Sequence, residues 1–265
     1  MAVKAIVLGA GKGTRMKSDQ AKVLYPVAGR PMLLWTLDAI AGAGIEETVV
    51  VVGHQAEAVR SILPPSVASA LQDEQLGTGH AAAIGLAALD ASIIDDVLVM
   101  PGDMPLVTAD TLRRMLQVHI ESAAAVTLLS AELAEPGAYG RVLRENGEVV
   151  GIVEAKDATP AQLEVREVGT SVSLFAGEHL PGALQRIDTN NAQGEYYLTD
   201  IVGLANDAGH TVALVTCPEN GIQGVNTRAE LAAVEAEFQR RYRAKAMEEG
   251  ATLVAPETVF LSADT

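Results

Sequence analysis

Three glycines, an arginine and a lysine follow an apolar run near the start of the chain. The run Val3–Leu8 leads into "GAGKGTRM", in which glycine occupies positions 9, 11 and 13, and Arg15 and Lys22 follow. Glycines in a strand–loop–helix setting let backbone N–H groups approach and cradle phosphate. Two cations close to such a loop can neutralise phosphate charge. The segment therefore predicts a phosphate-binding site.

Three known types of glycine loop compete for this segment. A dinucleotide-binding loop reads G-x-G-x-x-G, and Thr14 stands where its third glycine belongs. A P-loop reads G-x-x-x-x-G-K-[ST], and that spacing does not occur. The third type, G-x-G-x-G-T-R-M followed by a lysine, a proline and a glycine, fits "LGAGKGTRMKSDQAKVLYPVAGRPM", Leu8 to Met32. A solvated turn between a strand and a helix is the alternative interpretation.

A carboxylate, Asp103, follows the apolar run Val97–Met100. Open α/β sheets bind ligands at the carboxyl ends of their strands. A carboxylate in that place suits Mg²⁺, which takes few protein oxygens and several phosphate oxygens. A turn or a helix N-cap before Pro105 is the alternative interpretation of Asp103.

The elements that must position these groups alternate between strand-like and helix-like patterns. Strands are predicted at Val3–Leu8, Thr48–Val52, Val67–Leu71, Val97–Met100 and Val126–Leu129. Helices are predicted between them at Pro31–Ala43, Gln55–Ile62, Gly77–Leu89 and Ala109–Glu121. This order predicts an α/β fold with a parallel or mostly parallel sheet and helices on both faces.

The pattern changes from Tyr139 onward. "YGRVLRENGEVVGIVE" predicts a hairpin that turns at Asn146-Gly147. A strand, "VGTSVSLFA", two helices and another strand follow: His179–Ile187, Leu198–Ala208 and Thr211–Thr216. Thr227–Glu248 predicts a long helix, with Thr227 and Glu230 as a capping box and Gly250 as its stop. The tail that follows contains short β-like pieces.

Composition excludes several classes of protein. The chain has 265 residues, 49% of them hydrophobic, which suffices for one large domain or one domain with an appendage. A net charge of −15 without a basic cluster argues against nucleic acid as a partner. No apolar run reaches the length of a membrane span, and no secretory signal is visible. A single cysteine, Cys217, fits packing in a reducing, cytoplasmic setting.

The glycine loop resembles that of nucleotidyltransferases that activate sugar 1-phosphates with a nucleoside triphosphate. Further motifs narrow the resemblance to the N-acetylglucosamine-1-phosphate uridylyltransferases, the N-terminal half of a bacterial bifunctional enzyme that makes UDP-GlcNAc. They are "QDEQLGTGHAA" (Gln72–Ala82), "PGDMPL" (Pro101–Leu106), "AYGRV" (Ala138–Val142), "EAKDA" (Glu154–Ala158), "NNAQGEYYLTDI" (Asn190–Ile201) and "GVNTRAEL" (Gly224–Leu231). They run in order along nearly the whole chain.

The resemblance implies a Rossmann-like nucleotidyltransferase fold, with a mixed, mostly parallel sheet, a small β-rich sugar-binding lobe and a C-terminal helix. It implies UMP transfer from UTP to N-acetyl-α-D-glucosamine 1-phosphate, a Mg²⁺ cofactor, and supply of UDP-GlcNAc for peptidoglycan and lipopolysaccharide. Arg15 and Lys22 would be catalytic, and Asp103 and Asn226 would hold the metal. A cap before the helix at Thr227 is the alternative for Asn226. The implied substrate-binding residues are Leu8, Gly9, Ala10, Gly11, Lys22, Gln72, Gly77, Thr78, Pro101, Gly102, Asp103, Gly140, Glu154, Gly169 and Asn226.

The roles implied for these residues have a physical basis. The amide of Gln72 and the backbone at Gly77-Thr78 can complement the edge of uracil. A glycine at 140 can offer a backbone N–H without a clashing side chain, and Glu154 can accept hydrogen bonds from sugar hydroxyls. Ordinary structural roles, such as a helix start or a hairpin glycine, are the alternatives. His80 is expected to be structural.

The chain departs from the family pattern at four places. Gly9 replaces the usual alanine, Ala21 replaces the proline before Lys22, and Pro101 stands where an aromatic residue is common. In "EVGTSV", Gly169 and Ser171 replace the family's asparagine and glycine. Because the resemblance implies that this asparagine contacts the nucleotide sugar, its replacement bears on the preference for N-acetylglucosamine. The same chemistry on another sugar 1-phosphate, or a non-catalytic nucleotide-sugar binding domain, are the alternatives.

The family's second half is missing from this sequence. The bifunctional relatives continue into a left-handed β-helix that acetylates glucosamine 1-phosphate and trimerises, and no hexapeptide array is present here. We therefore expect a nucleotidyltransferase domain at 1–228, a linker helix at 229–250 and a tail at 251–265 that would begin the β-helix. Acetyltransferase activity is not expected, and a trimer is less secure than some homo-oligomer.

Overall fold

A computed structural model describes residues 2–89 and 95–264. The strands in this part of the chain are β1 (Val3–Leu8), β2 (Pro26–Val27), β3 (Arg30–Pro31), β4 (Glu47–Val52), β5 (Ala68–Leu71), β6 (Asp96–Pro101), β7 (Val126–Glu132), β8 (Gly140–Glu145), β9 (Glu148–Val153), β10 (Glu167–Phe175) and β11 (Val212–Thr216). The α-helices are α1 (Met32–Gly42), α2 (Ala56–Arg60), α3 (Thr78–Ala88), α4 (Ala109–Ser122), α5 (Pro160–Leu163), α6 (Leu180–Leu184), α7 (Asp200–Asp207) and α8 (Arg228–Glu248).

The main sheet has the spatial order β11-β7-β10-β6-β1-β4-β5. Strands β6, β1, β4 and β5 pair in parallel, as do β7 and β11. Strand β10 is antiparallel to both of its neighbours, β6 and β7. The predicted mixed, mostly parallel sheet is therefore confirmed, and β10 is the strand that makes it mixed.

The central strands are buried on both faces, which explains their continuous apolar sequences. In β1, Ala5 and Val7 join a core cluster with helices α1 and α4, whereas Ile6 joins a second cluster with α3, α6 and α7. Because successive side chains of a strand point to opposite faces, one run of small branched residues supplies both cores. Two layers of helices therefore hold the sheet rigidly.

The hairpin predicted at Asn146-Gly147 is present. Strands β8 and β9 pair as antiparallel neighbours, and both turn residues have positive φ, 51° and 92°. Positive φ at both positions is typical of the type I′ turn, which Asn-Gly favours. Strand β8 also pairs with β10. The hairpin thus extends from the main sheet as a β-rich wall.

The last helix packs against the first part of the chain. In α8, Val234 and Phe238 share a third core cluster with Met16, Tyr25 and Val27. Thr227 and Glu230 form the predicted capping box, and the helix ends at Glu248, close to the predicted stop. A long segment far along the sequence is thereby placed beside the glycine loop.

Three local elements differ from the sequence prediction, and one of them is the four-residue helix α5, which was not predicted. The short hairpin of β2 and β3 was not predicted, because two-residue strands leave no periodic pattern. The described tail, 251–264, has no strand in place of the predicted β-like pieces, and contains a 3₁₀ turn at Pro256–Thr258. No helix within the described residues is long and apolar enough to cross a membrane.

Candidate active site

The carboxyl ends of β1, β4, β5 and β6 meet at one edge of the sheet, where a cavity of about 680 Å³ opens. Open α/β sheets bind ligands at this edge. All the site residues predicted from sequence line the cavity except Gly102. They are Leu8, Gly9, Ala10, Gly11, Arg15, Lys22, Gln72, Gly77, Thr78, Pro101, Asp103, Gly140, Glu154, Gly169 and Asn226. Gly102 lies behind the wall, and its N–H donates to the Leu8 carbonyl at 3.0 Å.

The loop glycines serve different purposes. The N–H of Gly9 donates to the Val51 carbonyl at 2.8 Å, and a Cβ on Gly9 would lie 3.2 Å from that oxygen. A Cβ on Gly11 would meet nothing within 4 Å, so the space beside it is open. Gly13 has φ +59°, and a Cβ there would lie 2.9 Å from the Cβ of Lys22. Gly13 therefore permits both the turn and the close approach of Lys22.

Two cations and two oxygen-bearing side chains converge below this loop. The ammonium of Lys22 forms an ion pair with the Asp103 carboxylate and donates to Asn226 Oδ1 at 2.8 Å. Arg15 Nη2 donates to the same Asn226 oxygen at 3.0 Å. Asp103 is only 7% exposed, so that its charge is held close to its partner. The geometry thus brings together the four residues expected to handle phosphate and metal.

The start of α8 orients Asn226. Its backbone N–H donates to Glu230 Oε2 at 2.6 Å, and the N–H of Thr227 donates to the same oxygen at 2.8 Å. The backbone of Asn226 is therefore tied to the capping box, and its side chain points back to Lys22. Asn226 therefore directly precedes the cap of α8 at Thr227, which accords with the alternative interpretation of its sequence. It also lines the cavity.

The oxygen atoms around Lys22 suit a divalent cation. Asp103 and Asn226 both contact one ammonium, so a single cation can reach both oxygens. Among the described residues, no group of three or more His, Cys, Asp or Glu side chains could hold a metal. A metal at this place would therefore take its remaining ligands from water or phosphate.

Gln72 directly follows β5 and is 3% exposed, and the contacts of its side-chain amide are made by the nitrogen. Its Nε2 donates to the Gly77 carbonyl at 3.3 Å and lies 3.1 Å from His80 Nδ1. The described residues donate no hydrogen bond to its Oε1, which is therefore available to a donor in the cavity. His80 was expected to be structural, and it acts by fixing the orientation of Gln72.

The start of α3 requires glycine at 77. Gly77 has φ +112°, and a Cβ there would lie 2.6 Å from the Tyr196 carbonyl oxygen. The next residue, Thr78, begins the helix, and its Oγ1 accepts a hydrogen bond from the Leu198 N–H at 3.0 Å. The "GTG" and "YYLTD" motifs thus meet in space, which explains why both occur in one chain.

The far end of the cavity is a β-sheet surface of small residues. Gly140 and Gly169 are paired across β8 and β10, and a Cβ on either would lie within 2.8 Å of the Ile152 side chain. Glu154 follows β9, and its Oε1 accepts a hydrogen bond from Thr199 Oγ1 at 2.9 Å. Burial raises the pKa of Glu154, with the Thr199 hydrogen bond opposing the shift.

Several cavity residues were not predicted from sequence. Tyr139 and Gln75 lie within quoted motifs, and the Gln75 amide donates to the Ala10 carbonyl at 2.8 Å. Glu195 also lies within a quoted motif, and Ser171 is a departure from the family pattern, whereas no sequence signal marks Glu219; all three line the cavity. Cys217 is partly buried against the core, which agrees with the packing role expected of it.

The positively charged side chains of the described cavity lining lie at one end, where Lys22 is paired with the Asp103 carboxylate. Among the described residues that line the cavity, Arg15 and Lys22 bring positive charge beside the glycine loop. Carboxylates such as Glu135 and Glu154 lie toward the β-sheet surface. The cation end suits phosphate groups, and the acidic end suits a ligand rich in hydroxyl donors.

An α/β sheet with a glycine loop, a cation pair and a polar cavity at its carboxyl edge defines a nucleotide-binding domain. The family profile of the MobA-like NTP transferase domain matches residues 5–159. The chain belongs to this family. A Bacillus anthracis crystal structure, assigned as a glucose-1-phosphate thymidylyltransferase in complex with a sucrose, shares the fold. Its TM-score is 0.71 at 19% identity, over 97% of this chain and 99% of that one.

Several curated relatives share more sequence. The bifunctional protein GlmU of Symbiobacterium thermophilum is 43% identical over 99% of this chain, and that of Pelobacter propionicus is 46% identical over 98%. The corresponding protein of Cutibacterium acnes is 44% identical over 98% of this chain. The chain covers 56%, 57% and 64% of the length of these three proteins, respectively.

Proposed function

We propose that the chain transfers UMP from UTP to N-acetyl-α-D-glucosamine 1-phosphate, which yields UDP-N-acetylglucosamine and pyrophosphate. The observation that carries this proposal is the convergence of Arg15, Lys22, Asp103 and Asn226 at one end of the cavity. The other end offers the glycine surface and Glu154, which suit a sugar. Similarity to proteins named bifunctional protein GlmU supports the same substrates.

The nucleotide occupies the end of the cavity beside the loop. Backbone N–H groups around Gly11, together with Arg15, bind the β- and γ-phosphates, since anions are stabilised by such donors. Gln72 Oε1 accepts a hydrogen bond from the imide N–H of uracil, because its Nε2 is already committed to Gly77 and His80. A cytosine ring lacks that donor and would be disfavoured.

The sugar phosphate lies on the β-sheet surface that includes Gly140 and Gly169, where Ile152 occupies the space that a side chain at either glycine would need. Glu154 accepts hydrogen bonds from ring hydroxyls, and Thr199 holds the carboxylate in place. This arrangement directs the phosphate of the sugar toward Lys22 and Asp103, at the junction of the two ends.

The metal in this proposal is Mg²⁺, held by Asp103 and Asn226. When bound, it would neutralise charge on the α-phosphate and on the sugar phosphate. The contacts of Lys22 with both oxygen atoms support this donor set, because one cation already reaches them together.

The chain's own residues act by positioning and charge neutralisation. A phosphate oxygen of the sugar attacks the α-phosphorus in line, the bond to the β-phosphate oxygen breaks, and pyrophosphate leaves with the electron pair. A phosphate monoester is already nucleophilic at neutral pH, so no general base is needed. Lys22 and Arg15 stabilise the negative charge that develops on the leaving side.

The proposal is tested by pyrophosphate release with UTP and Mg²⁺. N-acetylglucosamine 1-phosphate and glucose 1-phosphate are compared, with and without a chelator. Chelator-sensitive release that favours the N-acetylated sugar is expected. The variants Lys22→Ala and Asp103→Ala should each lower kcat by about 100-fold or more. Near-full activity of Asp103→Ala would refute the metal assignment.

One observation favours a second candidate, the same chemistry on a different sugar 1-phosphate. Gly169 presents no side chain to the sugar, and Ile152 fills the adjacent space. Release that favours another sugar would keep the mechanism and change the substrate. Binding of UDP-GlcNAc without turnover would instead indicate a binding domain.

The remaining inferences concern the whole chain. We infer a nucleotidyltransferase domain at 1–228, a C-terminal linker helix at 229–250, and a tail at 251–265. The substrates are small phosphorylated molecules, and the acidic balance argues against nucleic acid as a partner. A cytoplasmic location accords with substrates of this kind, and homo-oligomerisation can be measured by light scattering.

A further inference from the structure

Ser171 adopts a backbone conformation that serine rarely takes. Its φ is +62°, in the left-handed region that glycine enters freely and other residues enter at a cost. It lies in β10 where the register with β7 shifts between Gly169 and Ser173, which marks a β-bulge. Its neighbours Thr170 and Val172 are buried, whereas Ser171 is exposed. The strand therefore presents this one side chain at a conformational cost.

Glycine occupies position 169 of this segment, although the backbone dihedral angles there do not require glycine. Gly169 lies outside the left-handed region, so its backbone would accept another residue. Ser171, two positions later, has the conformation for which glycine is the usual choice. A purely structural bulge would be more stable with glycine at 171. Strain of this kind persists mainly at functional sites.

The exposed side of Ser171 faces the cavity. It lines the main cavity and also an adjoining one of about 150 Å³, and Glu154 lines both as well. Ser171 and Glu154 are thus two of the five described residues that line both spaces. The described residues make no hydrogen bond with the Ser171 hydroxyl, so that it is free to donate to a ligand or to accept from one.

We propose that the Ser171 hydroxyl hydrogen-bonds a hydroxyl or amide group of the sugar ring and thereby sets affinity for the sugar 1-phosphate. The inference rests on the proposed function, since it assigns a contact to the acceptor substrate. The side chain of β10 that contacts the sugar then comes from position 171, because Gly169 has no side chain and Ile152 fills the space beside it.

Two variants separate the hydroxyl from the backbone strain. Ser171→Ala removes the hydroxyl and keeps the strained conformation, whereas Ser171→Gly removes both. Each should raise KM for the sugar phosphate about three- to tenfold, as expected for one lost hydrogen bond. The values of kcat and of KM for UTP should stay unchanged, because the contact binds substrate and transition state alike.

Stability provides the second readout. Ser171→Gly should raise Tm by about 1–3 °C while it weakens sugar binding, and Ser171→Ala should leave Tm nearly unchanged. Ala123→Gly is the matched control, because Ala123 also has positive φ, 46°, but ends α4 and does not line the cavity. It should raise Tm and leave both KM values unchanged.

The outcomes separate this inference from the proposed function. Wild-type protein is first assayed with UTP and both N-acetylglucosamine 1-phosphate and glucose 1-phosphate. An effect of Ser171→Ala on the N-acetylated sugar alone supports a bond to the amide, and an effect on both sugars supports a bond to a hydroxyl. Active wild type with unchanged KM in both variants would overturn the role of Ser171 and leave the function standing. Wild type that neither binds nor turns over a sugar phosphate would overturn both.

Discussion

Lys22 holds the two oxygen atoms that the sequence assigns to a metal. Its ammonium contacts the Asp103 carboxylate and Asn226 Oδ1, and the second contact spans 204 positions of the chain. An ammonium and a divalent cation compete for such oxygens, because both are drawn by the same lone pairs and negative charge. If nucleotide phosphates bind here as proposed, they attract Lys22 away from these two oxygens. We therefore expect binding of nucleotide and binding of metal to be coupled through this one side chain.

Replacing Lys22 with Met should tighten metal binding in the absence of nucleotide. The change removes the competing charge and keeps a long side chain, so Mn²⁺, used as a probe, should bind about tenfold more tightly, or ~1.4 kcal/mol. Calorimetric titration of the nucleotide-free protein measures this affinity. Lys12→Met is the matched control, because Lys12 is exposed and does not line the cavity. Equal or weaker binding in Lys22→Met would contradict the coupling.

Glu154 gives sugar binding a distinctive dependence on pH. Burial raises its pKa, so the carboxylate takes up a proton at higher pH than an exposed glutamate does. The protonated form has lost the negative charge that accepts bonds from sugar hydroxyls. We expect KM for the sugar phosphate to rise as pH falls toward this pKa.

The comparison with Glu154→Gln isolates this effect, because the phosphate of the substrate itself takes up a proton near pH ~6. The variant should have a higher KM at pH 8, and the ratio of its KM to that of wild type should shrink as the pH is lowered. The raised pKa means that the charged form costs stability above it, so the variant should gain Tm at pH 8 and lose that gain at low pH. A constant KM ratio would exclude titration of Glu154.

The residue types of the site could be predicted from sequence, but most of their partners could not. Motifs placed Gln72, Asp103 and Asn226 correctly in one cavity. The contact of Gln72 with His80 depends on the turn between β5 and α3, and no pattern in the sequence encodes that turn. Ser171 was noticed only as a departure from the family. Its positive φ depends on the bulge, which is set by pairing with a distant strand.

At the scale of elements, the site depends on where strands end and helices begin. Strands β1, β5 and β6 supply the glycine loop, Gln72 and Asp103 at a common edge. Helix α3 begins at the same edge through Gly77, whose backbone lies against Tyr196. The end of the cavity proposed for the nucleotide is thus bounded by a strand edge and by the start of a helix, and small changes at these termini should alter binding.

Gly77→Ala should reduce both stability and nucleotide binding. The new Cβ would lie 2.6 Å from the Tyr196 carbonyl oxygen at a φ of +112°, and a backbone atom cannot move aside easily. We expect Tm to fall by about 4–8 °C and KM for UTP to rise, since the bond from Gln72 to Gly77 would be displaced.

Gly147→Ala provides the control for conformation alone. Gly147 has φ +92°, but a Cβ there would meet nothing within 4 Å. It should lower Tm by only about 2–4 °C, the cost of a left-handed residue, and leave KM for UTP unchanged. Equal losses in the two variants would mean that backbone strain, and not the contact with Tyr196, governs the start of α3.

Elements with strong local signals were predictable, and weak ones were not. The turn at Asn146-Gly147 and the capping box at Thr227 follow from the chemistry of adjacent residues, and both are present. The prediction of short β-like pieces in the tail is wrong, because apolar residues in a strand-like pattern form a strand only where a partner strand exists. There, backbone groups bond instead to side chains of α8.

At the scale of the whole molecule, the net charge has the same sign as the charge of the proposed substrates. The chain carries a net charge of −15, and yet its proposed substrates are anions. Arg15 and Lys22 provide positive charge at one end of the cavity only. Distant carboxylates are screened within about 10 Å at 0.1 M salt, so the local cations dominate at close range.

The tail fastens the last helix to the start of the chain. Gln239, in α8, is 3% exposed and exchanges two hydrogen bonds with the Leu261 backbone, at 2.7 and 2.8 Å. The N–H of Ala263 donates to the Ala28 carbonyl at 2.8 Å. By contrast, Val254 and Phe260 are 86% and 75% exposed. These hydrogen bonds therefore help to hold this segment in place, together with its half-buried apolar residues Leu253, Val259 and Leu261.

Gln239→Ala should release the tail without altering the site. Loss of the two hydrogen bonds with Leu261, and of the one that Gln239 Nε2 donates to Glu235 Oε1, should lower Tm by about 2–6 °C and make residues 251–264 more sensitive to limited proteolysis. The value of kcat should stay unchanged, because neither Gln239 nor the tail lines the cavity. Phe260→Ala is the matched control, and its exposed ring predicts little change in either measurement. If the tail of Gln239→Ala is as resistant to proteolysis as that of the wild type, Gln239 does not hold it in place. The hydrogen bond between Ala263 and Ala28 would then be the contact to test next.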